Sequence, residues 1–200
     1  MLNKRNFLIL FTVFSVQFLP AQEQDSEMDV LYNSSSYNIG GFGGPNLIFS
    51  TIDGSFTFFT GLKGGVILDH NLVFGIEGYQ LTSNIPHKND LGKNLNFVYG
   101  GFFGGYIFNW KSKIHFNSTF LIGFGGVGEK DGFSLKKGNN FRDTIFVLQP
   151  SLELEINLFR HFRVGFGVNY RFVPNINIDS YSGDEFSSLG GVLSLKFGDF

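Results

Sequence analysis

The chain has 200 residues, a formal net charge of −2 at pH 7, no cysteine, 27 phenylalanines and 27 glycines. This length fits one domain, and so mild a charge argues against a nucleic-acid partner, which would require a basic face. Without cysteine, the chain is not a small secreted scaffold stabilised by disulfides.

The first segment predicts a secretory signal peptide. Lys4 and Arg5 form a basic start, residues 7–19 are almost all apolar, and Ala21 is a small residue suited to cleavage. The apolar run is shorter than the roughly 20 residues that a transmembrane helix needs. The predicted organisation is a cleaved signal peptide over residues 1–21, a short periplasmic N-terminal tail over 22–36 and a barrel over 37–200.

Alternating apolar and polar residues follow, and few segments have a helical period. This alternation is typical of β-strands, and glycine pairs or polar clusters separate the alternating segments. The chain is therefore predicted to be all-β. The pattern places eight strands at residues 37–50, 55–69, 72–81, 95–108, 113–128, 143–158, 162–172 and 186–198.

The connections between these strands alternate in length after a brief first hairpin. Three are short and three are long and polar. An even strand number with short periplasmic turns and long external loops is typical of outer-membrane barrels. Loops on a rigid scaffold often carry function, so an external partner could bind there. The short connections are 69–71, 109–112 and 159–161, and the long ones are 82–94, 129–142 and 174–185.

The orientation of the apolar faces separates a membrane barrel from a soluble one. In the sixth predicted strand, Leu152 and Leu154 alternate with Glu153 and Glu155. The interior of an eight-stranded barrel is only just wide enough for side chains to fill, so it could not hold most of the phenylalanine rings. The apolar faces are therefore predicted to meet lipid, and the polar faces to line the interior.

Charged residues on the inner face must pair, because isolated buried charges cost several kcal/mol each. This network could be a closed polar plug, which we expect, or it could line a narrow path for ions or small solutes. A soluble periplasmic, lipocalin-like binding barrel is a third alternative. The predicted interior polar network consists of Lys63, Glu77, Glu153, Glu155, Arg163, Arg171 and Lys196.

Aromatic residues near strand ends predict girdles at the boundary between lipid and water. Trp110, Tyr79 and Tyr170 are the candidates for this interface.

Short sequence words across the barrel region resemble small outer-membrane β-barrel proteins of the type abundant in Bacteroidota, with an OmpA/OmpX-like architecture. They include residues 40–45, 61–65, 148–154 and the ending 195–200. The resemblance implies an eight-stranded antiparallel up-and-down transmembrane β-barrel, porin-like in fold, in the bacterial outer membrane and surrounded by its lipid.

The same resemblance implies that the barrel assembly machinery recognises an aromatic residue near the end of the chain. Phe200 occupies the expected position, but Phe197 shares the parity of Leu193 and Leu195 whereas Phe200 does not. Phe197 is therefore the alternative assembly signal.

No catalytic site, cofactor or metal is predicted. Residues 123–128 match G-x-G-x-x-G, but a turn-rich segment follows where a dinucleotide site requires a helix. The four histidines, at positions 70, 87, 115 and 161, lack metal-ligand spacing. A catalytic triad has no specific support in the sequence.

Overall fold

The computed structural model describes residues 38–87, 90–130, 140–174 and 182–200. The predicted signal peptide and tail lie outside these residues. No helix in the described ranges is long and apolar enough to cross a membrane. The elements are β1 Ile39–Ile52, β2 Ser55–Leu68, β3 Leu72–Leu81, β4 Pro86–His87, β5 Asp90–Phe108, β6 Ile114–Lys130, β7 Asn140–Phe159, β8 Phe162–Arg171, α1 Gly183–Phe186 and β9 Ser188–Asp199.

Eight long strands form a closed antiparallel barrel. Each pairs with the next long strand along the chain, β3 pairs with β5, and β1 closes the sheet against β9. The short strand β4 pairs only with the beginning of β5. The predicted all-β, eight-stranded, up-and-down architecture is confirmed.

The two rims of the barrel differ in their connections. At the short-turn end lie residues 69–71, 109–113 and 160–161, together with the start of β1 and the end of β9. At the long-loop end, β1 and β2 join through Asp53-Gly54, where both φ angles are positive, 49° and 72°. Two-residue hairpin turns with positive φ match the twist of the strands that they connect.

The long-loop end contains more regular structure than predicted. β5 begins at Asp90 and β7 at Asn140, and β4 lies within the segment 82–94. The segment 174–185 contains most of α1. Residues 131–139 and 175–181, within two of the predicted loops, lie outside the described residues.

Side-chain direction alternates along the strands, as the two-residue period of a strand requires. On β7, Glu153 and Glu155 are each 1% exposed, whereas Leu152 is 47% exposed. The outer surface of the barrel is an apolar band. Its most exposed members are Ile39, Phe56, Leu62, Ile76, Phe102, Phe124, Phe159 and Leu189.

Candidate functional site: the barrel interior

Two glutamates of β7 lie at the centre of a buried ion network. Lys196 Nζ, on β9, lies 3.3 Å from Glu153 Oε2 and donates a short hydrogen bond to Glu155 Oε1. The Ser194 hydroxyl, on the same strand, donates to Glu153 Oε2. Protein groups therefore replace the water that these carboxylates lose on burial.

Lys63 extends the network toward β2 and β3. Its Nζ lies 3.3 Å from Glu153 Oε1 and 3.2 Å from Glu77 Oε2, and donates to Thr119 Oγ1 at 3.2 Å. The Tyr79 hydroxyl donates to Glu77 Oε2 at 3.1 Å. Lys63 and Glu77 are register partners on adjacent strands, whereas the contact with Glu153 crosses the lumen.

Three further side chains surround Glu155. His115 Nε2 lies 3.1 Å from Glu155 Oε2, and Arg163 Nη1 lies 3.7 Å from the same oxygen. Asn117 Nδ2 donates to Glu155 Oε1 at 2.6 Å. His115 and Glu155 face each other directly across β6 and β7.

This network contains equal numbers of carboxylates and of Lys and Arg side chains. Three carboxylates meet three cations, and all six side chains are at most 6% exposed. A buried network of this kind stabilises the fold only when every charge has a partner, since the loss of one partner leaves a buried charge without compensation. We call this group the charge cluster: Lys63, Glu77, Glu153, Glu155, Arg163 and Lys196.

Glycines of β8 make room for the charge cluster. Gly165 and Gly167 face Glu155 and Glu153 across β7 and β8. A Cβ at Gly165 would lie 2.8 Å from Glu153 Oε2 and 2.4 Å from Ser194 Oγ. A larger residue at position 165 would push against the Glu153 carboxylate and the Ser194 hydroxyl, so glycine leaves room for both groups.

Arg171 lies inside the barrel as predicted, but it corrects the prediction that all inner-face charges pair with one another, because no ion pair joins it to Glu77, Glu153 or Glu155 within the described residues. Its Nε donates to the Phe186 carbonyl at 2.8 Å, and its Nη2 donates to Ser50 Oγ at 3.1 Å and to the Thr51 carbonyl at 3.2 Å. Its guanidinium carbon lies 4.5 Å from the ring centre of Phe59. Arg171 belongs instead to the long-loop end of the lumen.

Sequence reasoning missed an aromatic layer in the lumen at that end. We call Phe59, Phe97, Tyr99 and Phe186 the aromatic cap. Phe97 contacts the other three at ring-centre distances of 5.2–5.6 Å, and no ring is more than 2% exposed. The sequence alternation could have placed one of these rings, Phe59, in the lumen, because Phe59 lies four residues before Lys63 and therefore on the same face of β2.

The short-turn end is also covered by rings. The guanidinium carbon of Arg163 lies 3.8 Å from the ring centre of Phe200, and both Phe200 and Trp110 pack against the buried core. Phe197 instead faces outward, 51% exposed, and stacks on Phe162 at 4.7 Å. The two candidate assembly aromatics therefore lie on opposite sides of the barrel wall.

The predicted interface aromatics have three different positions. Tyr79 is a correction: it is 3% exposed and accepts a hydrogen bond from Asn46 Nδ2 at 2.8 Å inside the barrel. Trp110 lies in the turn between β5 and β6 and stacks on His70 at 3.9 Å. Tyr170 faces outward on β8 and is 44% exposed.

The remaining motifs form no site of their own. Residues 123–128 lie within β6, where a Cβ at Gly123 or Gly125 would clash with the backbone of the neighbouring strand β5. Within the part of the chain that the structure describes, no group of three His, Asp or Glu residues is arranged to hold a metal ion.

Comparisons with solved structures find other small barrels. The Neisserial surface protein A (NspA) aligns with a TM-score of 0.56 and 11% identity over 82% of this chain and 99% of its own. Ail, the attachment invasion locus protein of Yersinia pestis, aligns with a TM-score of 0.45 and 12% identity in its complex with the heparin analogue sucrose octasulfate, over 80% of this chain and 97% of its own. Without that analogue, Ail gives 0.44 and 11% over the same shares.

No protein-family model matches the chain, and neither does any curated protein. At 11% identity, the likeness to NspA concerns the fold alone. It is the fold of an eight-stranded closed antiparallel barrel.

Proposed function

We propose that this protein is an integral outer-membrane barrel with a sealed interior and a structural or surface-interaction role. The observation that carries the proposal is the inversion of the barrel's faces. A charge-balanced ion network fills the interior, whereas rings such as Phe102 and Phe124, 77% and 65% exposed, cover the outside. In water this surface would be an aggregation hazard, but in a bilayer it meets hydrocarbon.

Export by a signal peptide over residues 1–21 and a periplasmic tail over 22–36 belong to the same proposal. They would place the short-turn end in the periplasm and the long-loop end outside the cell. An external partner would then bind the segments at the long-loop end, which are 82–94, 129–142 and 174–185. No enzymatic activity is proposed.

The filled interior supports a plug more than a path for solutes. Lys63, Glu153 and Lys196 meet across the lumen at distances of about 3.3 Å, which leaves no room for a hydrated ion between them. The aromatic cap covers one side of this level, and Phe200 covers Arg163 on the other.

We therefore expect the refolded protein to be electrically silent in a planar lipid bilayer. The ion pairs and the aromatic cap would have to separate before an ion could pass. Insertion is verified first by protease protection in vesicles, and a porin in the same bilayer serves as the positive control. Reproducible conductance steps from inserted protein would contradict the sealed barrel and favour the narrow-pore alternative.

For biogenesis, we propose that the assembly machinery recognises Phe197 rather than Phe200. An aromatic residue on the outer wall is accessible to a protein that handles the nascent barrel, and Phe197 has that position. Phe197→Ala is expected to reduce the amount of folded barrel in cell outer membranes several-fold. The matched variant Phe200→Ala is expected to reach wild-type amounts, and the reverse pattern would assign the signal to Phe200.

A further inference from the structure

Arg171 is a buried cation outside the charge cluster. It is 1% exposed. It contacts the Phe186 and Thr51 carbonyls, the Ser50 and Tyr99 hydroxyls and the faces of two rings, and none of these groups carries a negative charge. Within the described residues, every buried ion pair of the lumen either lies inside the charge cluster or joins His115 to Glu155. Since that cluster is balanced three to three, the charge of Arg171 has no counterpart in it.

Unused hydrogen-bond donors lie beside this cation. Arg171 Nη1 has no hydrogen-bond partner, and neither do Gln149 Nε2 and Asn169 Nδ2. The Tyr99 hydroxyl donates to Gln149 Oε1 at 2.7 Å, which identifies Nε2 as the free end of that amide. All three side chains are at most 3% exposed.

Strand register brings these donors together. Ser151 pairs with Asn169, and Leu148 bridges to Phe172, so Gln149 and Arg171 face each other across β7 and β8. Arg171 and Gln149 therefore lie at one level of the lumen, next to the aromatic cap. Asn169 lies two residues before Arg171 on β8, farther from the long-loop end, on the same inner face.

From this arrangement we infer that the lumen binds a small anion near its long-loop end, at Arg171, Gln149 and Asn169. A buried charge needs a partner of opposite sign or a full set of hydrogen bonds, and N–H groups around a cation are the donors that an anion prefers. Asn169 Oδ1 is also unpaired, so this amide is free to present its NH₂ group. The three side chains are at most 3% exposed and Phe186 is fully buried, so the ligand that we propose is a halide or a very small carboxylate.

The test is a saturable effect of chloride on unfolding. The refolded barrel in lipid vesicles is titrated with urea in sodium chloride and, at equal ionic strength, in sodium gluconate, whose anion is too large for the closed site. The single tryptophan, Trp110, provides the fluorescence signal. A ligand that binds only the folded state raises the unfolding midpoint with concentration, so the midpoint is expected to be higher in chloride and to level off.

Variants assign the effect to the site. Arg171→Met is expected to abolish the chloride response, and Gln149→Leu, which keeps the cation, to weaken chloride binding by about tenfold. Gln80→Leu, on the exposed outer face of β3, is the matched control and should respond as wild type. Crystals soaked in sodium bromide should show an anomalous peak within hydrogen-bonding distance of Arg171 Nη1.

Three results would overturn the inference. One is an equal midpoint for the wild type in both salts, and another is a saturable chloride response that persists in Arg171→Met. The third is a chloride response in Gln149→Leu that equals that of the wild type. This variant also tests the inference if Arg171→Met fails to fold. The inference concerns the lumen alone and does not depend on the location proposed for the barrel.

Discussion

Replacing Lys63 with methionine is expected to lower the free energy of unfolding of the barrel by about 3–5 kcal/mol. Lys63 Nζ contacts both Glu77 and Glu153. Without it, the charge cluster has three carboxylates and two cations, and Glu77 loses its ion-pair partner at 4% exposure. Equilibrium urea unfolding in lipid vesicles measures this loss. Lys113→Met, at an exposed lysine of the β5–β6 turn, should change the value by no more than about 0.5 kcal/mol.

The double variant Lys63→Met/Glu77→Leu separates lost charge balance from lost packing. It removes one charge of each sign, leaving two carboxylates and two cations, and an apolar pair can replace a buried ion pair at little cost. More than half of the loss seen in Lys63→Met should therefore be recovered. The Tyr79 hydroxyl loses its acceptor on Glu77, so recovery is not expected to be complete. A double variant no more stable than Lys63→Met would mean that Lys63 stabilises the barrel by packing alone.

The alternation in the sequence was sufficient to predict the strands and their inner and outer faces where it is regular. β7 is the clearest case, because Glu153 and Glu155 share one parity and the leucines share the other. Strand pairing also follows from the sequence, since consecutive antiparallel strands joined by short turns are neighbours. Lys63 and Glu77 are in register for this reason.

Contacts across the lumen were not predictable, because they depend on how the closed sheet staggers its strands. Arg171 illustrates this limit: its sign and parity suit the glutamates of β7, but the stagger places it beside the aromatic cap. In glycine-rich strands, the sequence pattern indicated less clearly which side chains face the lumen. Tyr79 and Tyr99 lie next to such segments, and both rings turn inward, where their hydroxyls bond to Glu77 and Gln149.

The second large effect is expected on the outer wall, where Ile76→Arg should destabilise the barrel in lipid by about 2–4 kcal/mol. Ile76 is 62% exposed in the middle of β3, and it lies in the same cross-strand row as Phe102 and Gly64. If this row is at the depth of the hydrocarbon, a guanidinium there loses its water and gains no partner. Urea unfolding in vesicles, compared with the wild type, measures the difference.

The matched control is Gln80→Arg, on the same strand and the same face but four residues nearer to the long-loop end. Gln80 is exposed at the edge of the apolar band, where an arginine side chain reaches water and should cost at most about 1 kcal/mol. The pair also distinguishes a membrane barrel from a soluble, lipocalin-like one. In a barrel whose outer face meets water, arginine at either position would be solvated and the two variants would be equally stable. A depth-dependent cost therefore supports the proposed lipid-facing wall, and equal stability of the two variants in vesicles would contradict it.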